Sequence, residues 1–227
     1  MKEEPTIKLH NMDCMDALRE MDDNQFDLAI VDPPYGSKNI KGGYSSGNGG
    51  GKGAAKQKDY NRAVWEHGAP GSDYFEELRR VSNNQIMWGA NHYIDNLPFR
   101  CNSACWLIWD KKNENTGFAD VELAWTSFNK AARKFEFMWN GMLQGDMKNK
   151  EHRIHPTQKP EALYKWLLQN YAKEGDTILD THLGSGSIAI ACWVLGFDLT
   201  GYELDKDYYD AACNRFANFK KQGLLFR

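Results

Sequence analysis

The chain has 227 residues, enough for one α/β domain with a proper core and room for a small appendage. Hydrophobic residues make up 41% and charged residues 26%, the balance of a soluble globular protein rather than of a disordered or membrane-embedded one. The net charge of −3 excludes a uniformly basic surface, so any contact with nucleic acid must rest on local positive charge.

The five cysteines (Cys14, Cys101, Cys105, Cys192, Cys213) are odd in number and scattered, which argues for ordinary thiols over a disulfide framework or a zinc site. The residues 1–5 lack the apolar core of a signal peptide, and the longest apolar run, residues 188–195, is too short to span a membrane. The expected setting is a reducing cytoplasm. The 8 Trp, 10 Tyr and 11 Phe predict a Trp-rich core, with a few aromatic rings left to stack on bases.

In chain order, a helical stretch at 15–21 leads into Phe26–Val31, an apolar run that reads as a strand buried on both faces. Asp32 follows, and then Pro33 and Pro34 stop regular structure ahead of Tyr35. Residues 36–62 hold eight glycines by Gly53 and six basic residues (Lys38, Lys41, Lys52, Lys56, Lys58, Arg62) against the single acid Asp59, a pattern that predicts a flexible loop. Ser72 is expected to cap a helix running to Val81. Strands are expected at 85–88, 104–109, 121–126 and 135–139, the last inside an otherwise irregular polar stretch at 130–150. Then come a helix opened by Pro160, a strand at 177–180, a helix at 187–195, a strand at 198–203 and a helix at 205–220. Strands alternating with helices predict a doubly wound, mostly parallel sheet, and no clear linker divides the 227 residues.

Two segments carry chemistry. Asp180, Thr181, His182, Leu183, Gly184, Ser185, Gly186 and Ser187 lie between a strand and a helix, where the glycines let the backbone turn tightly against a ligand at the helix N-terminus. Glu203 ends the next strand, 23 residues after Asp180, where a carboxylate meets ribose hydroxyls in a nucleotide-type unit. Gly184, Gly186 and Ala189 also fit a dinucleotide fingerprint, so a nicotinamide cofactor is the rival. Asp180 favours S-adenosylmethionine: a carboxylate there faces a cationic amino and sulfonium group but repels a pyrophosphate.

The second segment is Asp32-Pro33-Pro34-Tyr35. A residue before proline is held extended, which aims the Asp32 side chain out of the strand end, and Pro33 presents a carbonyl at fixed φ. The pair offers two acceptors to an exocyclic amine, and Tyr35 offers a flat face to a flipped-out base. An aromatic amine is a poor nucleophile because its lone pair is delocalised. Two hydrogen bonds to its protons favour a pyramidal nitrogen, so Asp32 is read as an acceptor rather than a strong base.

With both motifs present the chain resembles the amino methyltransferases of restriction–modification and phage systems, specifically the β-type N6-adenine group, in which the Asp-Pro-Pro-Tyr element precedes the cofactor loop. The resemblance covers nearly the whole chain and implies a Rossmann-like S-adenosylmethionine-dependent methyltransferase fold with a seven-stranded, mostly parallel sheet in a single domain. Asp13 and Cys14 look like the segment whose acid approaches the cofactor's adenine. His155-Pro156-Thr157-Gln158-Lys159-Pro160 is similar to the element ahead of the cofactor strand, with Lys159 toward the cofactor carboxylate or a phosphate. Glu203 with Tyr208 and Arg215 looks like the acidic strand and its helix. The chain departs from the pattern at Thr181-His182, where many members have Pro-Phe, and at Ser187, where they often have Thr; His182 is expected to fill the turn. Asn91 either lines the site or caps a turn.

The resemblance implies DNA as partner, met by the six basic residues of the loop and by a small recognition region at 111–150; so short a region fits a homodimer. Amino transfer to cytosine N4 or to RNA, and a non-catalytic nucleic-acid-binding relative, stay open as alternatives. The cytosine enzymes tend to carry Ser in place of Asp32.

Overall fold

Strand formation in the centre of the molecule follows from alternation on both faces. In β2 (Phe26–Val31) Leu28 and Ile30 point to one side of the sheet while Ala29 and Val31 point to the other, and all four are buried. The structure, a computed structural model, describes residues 4–35, 68–114, 119–140 and 143–225. The predicted loop with Lys38, Lys41, Lys52, Lys56, Lys58 and Arg62 lies outside the described residues.

The main sheet has eight strands in the order β1–β10–β9–β2–β3–β5–β4–β6, and not the seven expected. These are β1 (Ile7–Asn11), β2, β3 (Ser82–Trp88), β4 (Leu107–Asp110), β5 (Val121–Thr126), β6 (Arg133–Glu136), β9 (Thr177–Asp180) and β10 (Asp198–Glu203). All neighbours pair parallel except β5, which is antiparallel to both β3 and β4. The pair β7 (Trp139–Asn140) and β8 (Leu143–Gln144) forms a separate two-stranded sheet.

Three details depart from the sequence reading. Strand β1 went unpredicted, since Lys8, His10 and Asn11 break its apolar pattern and it lies at the sheet edge against β10 alone. The single strand expected at 135–139 splits in two: β6 pairs with β4, and the Phe137 amide donates to the Asp110 carbonyl at 3.0 Å before the chain turns into β7. The cap of α2 (Ser72–Val81) is Gly71 and not Ser72, and a Cβ at 71 would stand 2.8 Å from the Asp73 carboxylate.

Helices cover both faces. Leu163 and Leu167 of α3 (Glu161–Tyr171) and Ile188 and Ala191 of α4 (Ser187–Leu195) pack on the face that carries Leu28, Ile30, Trp88 and Trp109. On the other face Leu18 of α1 (Cys14–Glu20) and Phe75 and Leu78 of α2 cover Ala29, Val31, Met87 and Leu179. Trp88 and Trp109 are fully buried, in line with the Trp-rich core expected from composition. The helix α5 (Lys206–Leu225) follows β10 and packs on α4 and the β1 edge.

This topology fixes where a ligand fits. From β2 the chain winds toward β3, and from β9 it winds the opposite way toward β10, yet β2 and β9 are neighbours. The crevice at the carboxyl ends of two such strands is the switch point of an open sheet, the general binding place in this architecture. Asp32 follows the end of β2, and Asp180 is the end of β9.

Candidate active site

The loop after β9 is shaped by its glycines and tied down from three sides. Gly184 and Gly186 take positive φ, 54° and 68°, which any side chain would strain, and a Cβ on Gly186 would press to 3.2 Å on Ala212 of α5. Gly186 is the N-cap of α4. Glu203 accepts from the Gly184 amide at 2.8 Å with one oxygen and from the Asp205 amide at 3.0 Å with the other. Arg215 donates to the Ser185 carbonyl and the Ser187 hydroxyl, at 3.0 and 2.9 Å, and its other nitrogen to Glu151 and Glu161, at 2.8 and 2.9 Å. Arg215 therefore braces the loop from behind.

Asp180 is buried, and its Oδ1 accepts from the His182 amide at 3.0 Å. Burial pushes its pKa up to about 8; the His182 amide pulls down, while the charges of Asp32 and Glu203 push further up. A buried carboxylate beside two others is a place for a cation. His182 fills the turn, as expected: its Nδ1 lies 2.9 Å from the Thr181 hydroxyl, and its ring meets Tyr74 edge-on at 5.5 Å. Burial holds its pKa down at about 4, so the imidazole is neutral at pH 7. Tyr74 completes this polar run by a 2.6 Å bond to Thr181.

Asp13 has a local task, capping α1 by accepting from the Met15 amide at 2.8 Å. The Cys14 thiol beside it is pushed up to about 12 by burial and by the Asp13 charge, so it is no nucleophile. All five cysteines are free thiols.

Across the switch point, Asp32 is gripped at both oxygens. Oδ1 accepts from the Tyr35 hydroxyl at 2.6 Å, and Oδ2 pairs with Lys159 Nζ. Burial holds the Tyr35 pKa well above the usual phenol range, so that hydroxyl stays a donor. The Tyr35 ring stacks on His92 at 4.9 Å and lies against Gly89, whose φ is +73°. A Cβ on Gly89 would come within 1.9 Å of the ring. Asn91 is exposed in the short 3-10 turn Ala90–His92, which Gly89 and not Asn91 caps.

Lys159, expected toward the cofactor carboxylate or a phosphate, stands against two carboxylates of the chain itself. Its Nζ is committed to Asp32 and, at 3.2 Å, to Glu122 of β5, with the Trp88 ring 5.7 Å away. Burial alone would lower its pKa, but the two carboxylates outweigh that and hold it above the ordinary lysine value. Glu122 and its second partner Lys111 were not picked out from the sequence. The signal was there: a lone carboxylate inside the strand Val-Glu-Leu-Ala-Trp-Thr. Both fall in the 111–150 region expected to read DNA, and much of that region is sheet: β5, β6 and the β7–β8 pair.

The chain that builds this arrangement, a carboxylate in an Asp-Pro-Pro-Tyr turn opposite a glycine loop led by a buried acid, is similar to known proteins. A family model described as DNA methylase, of the N6/N4 type, matches residues 107–214. The Type II methyltransferase M2.LlaDCHI of Lactococcus lactis subsp. cremoris is 26% identical over 260 residues, covering 98% of this chain and 93% of its own. The chain is thus similar to DNA methylases of the N6/N4 type over 107–214 and to a Type II methyltransferase over nearly its whole length. The Type II methyltransferase M2.DpnII of Streptococcus pneumoniae is likewise 26% identical, over 92% of this chain and 88% of its own. Among solved structures, the M1.HpyAVI–SAM complex aligns with a TM-score of 0.55 at 20% identity, over 92% of this chain and all of that one. The cytosine-N4-specific PvuII DNA methyltransferase gives 0.55 at 14% identity, over 94% of this chain and 89% of that one.

The Gly89–Tyr35 contact sets a test. Gly89→Ala forces a side chain into a left-handed residue and into the Tyr35 ring, which must swing away from Asp32. The expected result is a fall in methyl transfer of roughly 10-fold or more, read well below the variant's Tm. Unchanged activity would mean that the Tyr35 bond is dispensable.

Proposed function

We propose that the chain transfers the methyl group of S-adenosylmethionine to the N6 amino group of an adenine in DNA. The observation that carries the reading is the pairing of Asp32 and Asp180 at the carboxyl ends of adjacent strands, one shaped to accept from an amine and the other to receive a cation.

The residues fit the cofactor. Asp180 is a buried carboxylate whose nearest charged company is mostly anionic, and the amino and sulfonium charges of the cofactor answer it. The Gly184 turn held by Glu203 gives an open backbone, and Glu203 stands at the strand end suited to ribose hydroxyls. Ser185, Gly186 and Ser187 of this loop, with Asp13 and Cys14 at the start of α1, would complete the cofactor site. When bound, the cofactor supplies an electrophilic methyl group.

The chain's own groups then act on the amine. Asp32 and the Pro33 carbonyl accept its two N–H bonds, which favours a pyramidal nitrogen with its lone pair aimed at the methyl. Asp32 stays an acceptor, because Tyr35 and Lys159 already share its charge. The flipped base takes the place of His92 on the Tyr35 ring, with Pro34 beside it. Aspartate in the first position of the tetrapeptide favours adenine over cytosine.

The same proposal assigns Lys38, Lys41, Lys52, Lys56, Lys58 and Arg62 to the DNA backbone and the residues 111–150 to a small recognition surface within one domain. A second copy would widen that surface. No helix among the described residues is long and apolar enough to cross a membrane, and a cytoplasmic enzyme of bacterial or phage origin fits the reading.

A substitution of bases tests the choice of acceptor. Duplex DNA carrying N6-methyladenine in place of every adenine should take up no methyl group, while DNA carrying N4-methylcytosine in place of every cytosine should remain a substrate. The reverse pattern would install the cytosine reading.

A further inference from the structure

Four charges run in a line from β2 to β5: Asp32, Lys159, Glu122 and Lys111, each paired with the next. The Lys159 side chain is 3% exposed and that of Asp32 15%. Taking an ammonium out of water is costly, and an apolar residue of similar volume is often as good for stability. Lys159 is thus a poor choice for packing alone, and its geometry suggests what it does instead. A carboxylate held at one oxygen can still rotate about its bond to Cβ. Asp32 is held at both, by Tyr35 from its own turn and by Lys159 from the segment before α3. Lys159 in turn forms an ion pair at 3.2 Å with one oxygen of Glu122, whose other oxygen pairs with Lys111.

We propose that Lys159 and Glu122 are a positioning pair for Asp32, Lys159 setting the plane of its carboxylate and Glu122 setting where the Lys159 ammonium stands. The inference rests on Asp32 being the acceptor of the amine. It adds that the antiparallel strand β5 reaches the reacting atoms through Lys159.

The experiment compares Lys159→Met, Lys159→Arg, Glu122→Gln and Asp32→Ala with the wild type. It reads kcat at saturating cofactor and DNA, well below each variant's Tm, and the Kd for S-adenosylmethionine. Lys159→Met should lower kcat by about 100-fold, with the cofactor Kd within about threefold. Lys159→Arg should recover part of kcat. Glu122→Gln should lower kcat by about 10-fold, again with the cofactor Kd within about threefold. If Lys159→Met fails to fold, the Glu122→Gln and Lys159→Arg rates still decide. A cofactor Kd that rises tenfold with kcat unchanged would overturn the inference and return Lys159 to the cofactor. Arg no better than Met, with Glu122→Gln at the wild-type rate, would reduce the pair to support of the fold. Activity in Asp32→Ala would instead remove the reading beneath it.

Discussion

Asp32→Ala is expected to abolish methyl transfer, by about 1000-fold or more in kcat, while the cofactor still binds within about threefold of wild type. The loss follows from position. Asp32 follows the last residue of β2 and points from a proline-fixed turn into the switch-point crevice, where no other described carboxylate is bonded to both Tyr35 and Lys159. Removing it takes away the only anionic acceptor of the Asp-Pro-Pro-Tyr turn, and the amine keeps its lone pair in the ring. The variant should also be less stable, by about 3 kcal/mol, because Lys159 is left buried with Glu122 alone. The rate should therefore be read below the lowered Tm, with Asp32→Asn as the variant closest in shape. Transfer surviving in both at more than a tenth of the wild-type rate would contradict the role given to Asp32.

Asp180→Asn is expected to weaken cofactor binding by about 100-fold and at the same time to stabilise the unliganded protein. Burial lifts the Asp180 carboxyl from its usual 3.8 to about 8. A carboxyl whose folded pKa is raised contributes stability that is full below pH 4 and is lost as pH rises through 8. At pH 7 the aspartate therefore costs the free protein stability that asparagine does not, on the order of 4 kcal/mol, or roughly 8–16 °C in Tm. The amide keeps the oxygen that accepts from His182. The same linkage predicts that S-adenosylmethionine binding to the wild type at pH 7 releases a proton, seen as a buffer-dependent heat in calorimetry. The Asp180→Asn variant should show no such release from this site. An unchanged affinity, or a lowered Tm, would mean that Asp180 serves the turn and not the cofactor.

The two chemical segments were legible because each is punctuated by residues with one backbone meaning: prolines after Asp32, and glycines at 184 and 186 that take the positive φ such a turn requires. Long-range partners were not legible. Glu122 and Lys159 lie far apart in the chain, and only the antiparallel insertion of β5 between β3 and β4 brings them together. Lys159 read as a cofactor contact because its motif neighbours precede the cofactor strand; the carboxylates that claim it come from strands on the other side of the switch point. Strand β1 escaped for a similar reason, since its edge position leaves polar side chains in a run too mixed to alternate cleanly. The capping of α1 by Asp13 is a local task that its place in the cofactor motif does not reveal.

The chemical identity of the acceptor is the centre of the account, and one measurement addresses it directly. The purified protein is incubated with DNA and S-adenosylmethionine labelled in the methyl group, and the DNA is digested to nucleosides and separated. The account predicts label in N6-methyl-2′-deoxyadenosine and none elsewhere, with Asp32→Ala giving a blank. Label in N4-methyl-2′-deoxycytidine, or none in DNA under conditions where the cofactor binds, would contradict it.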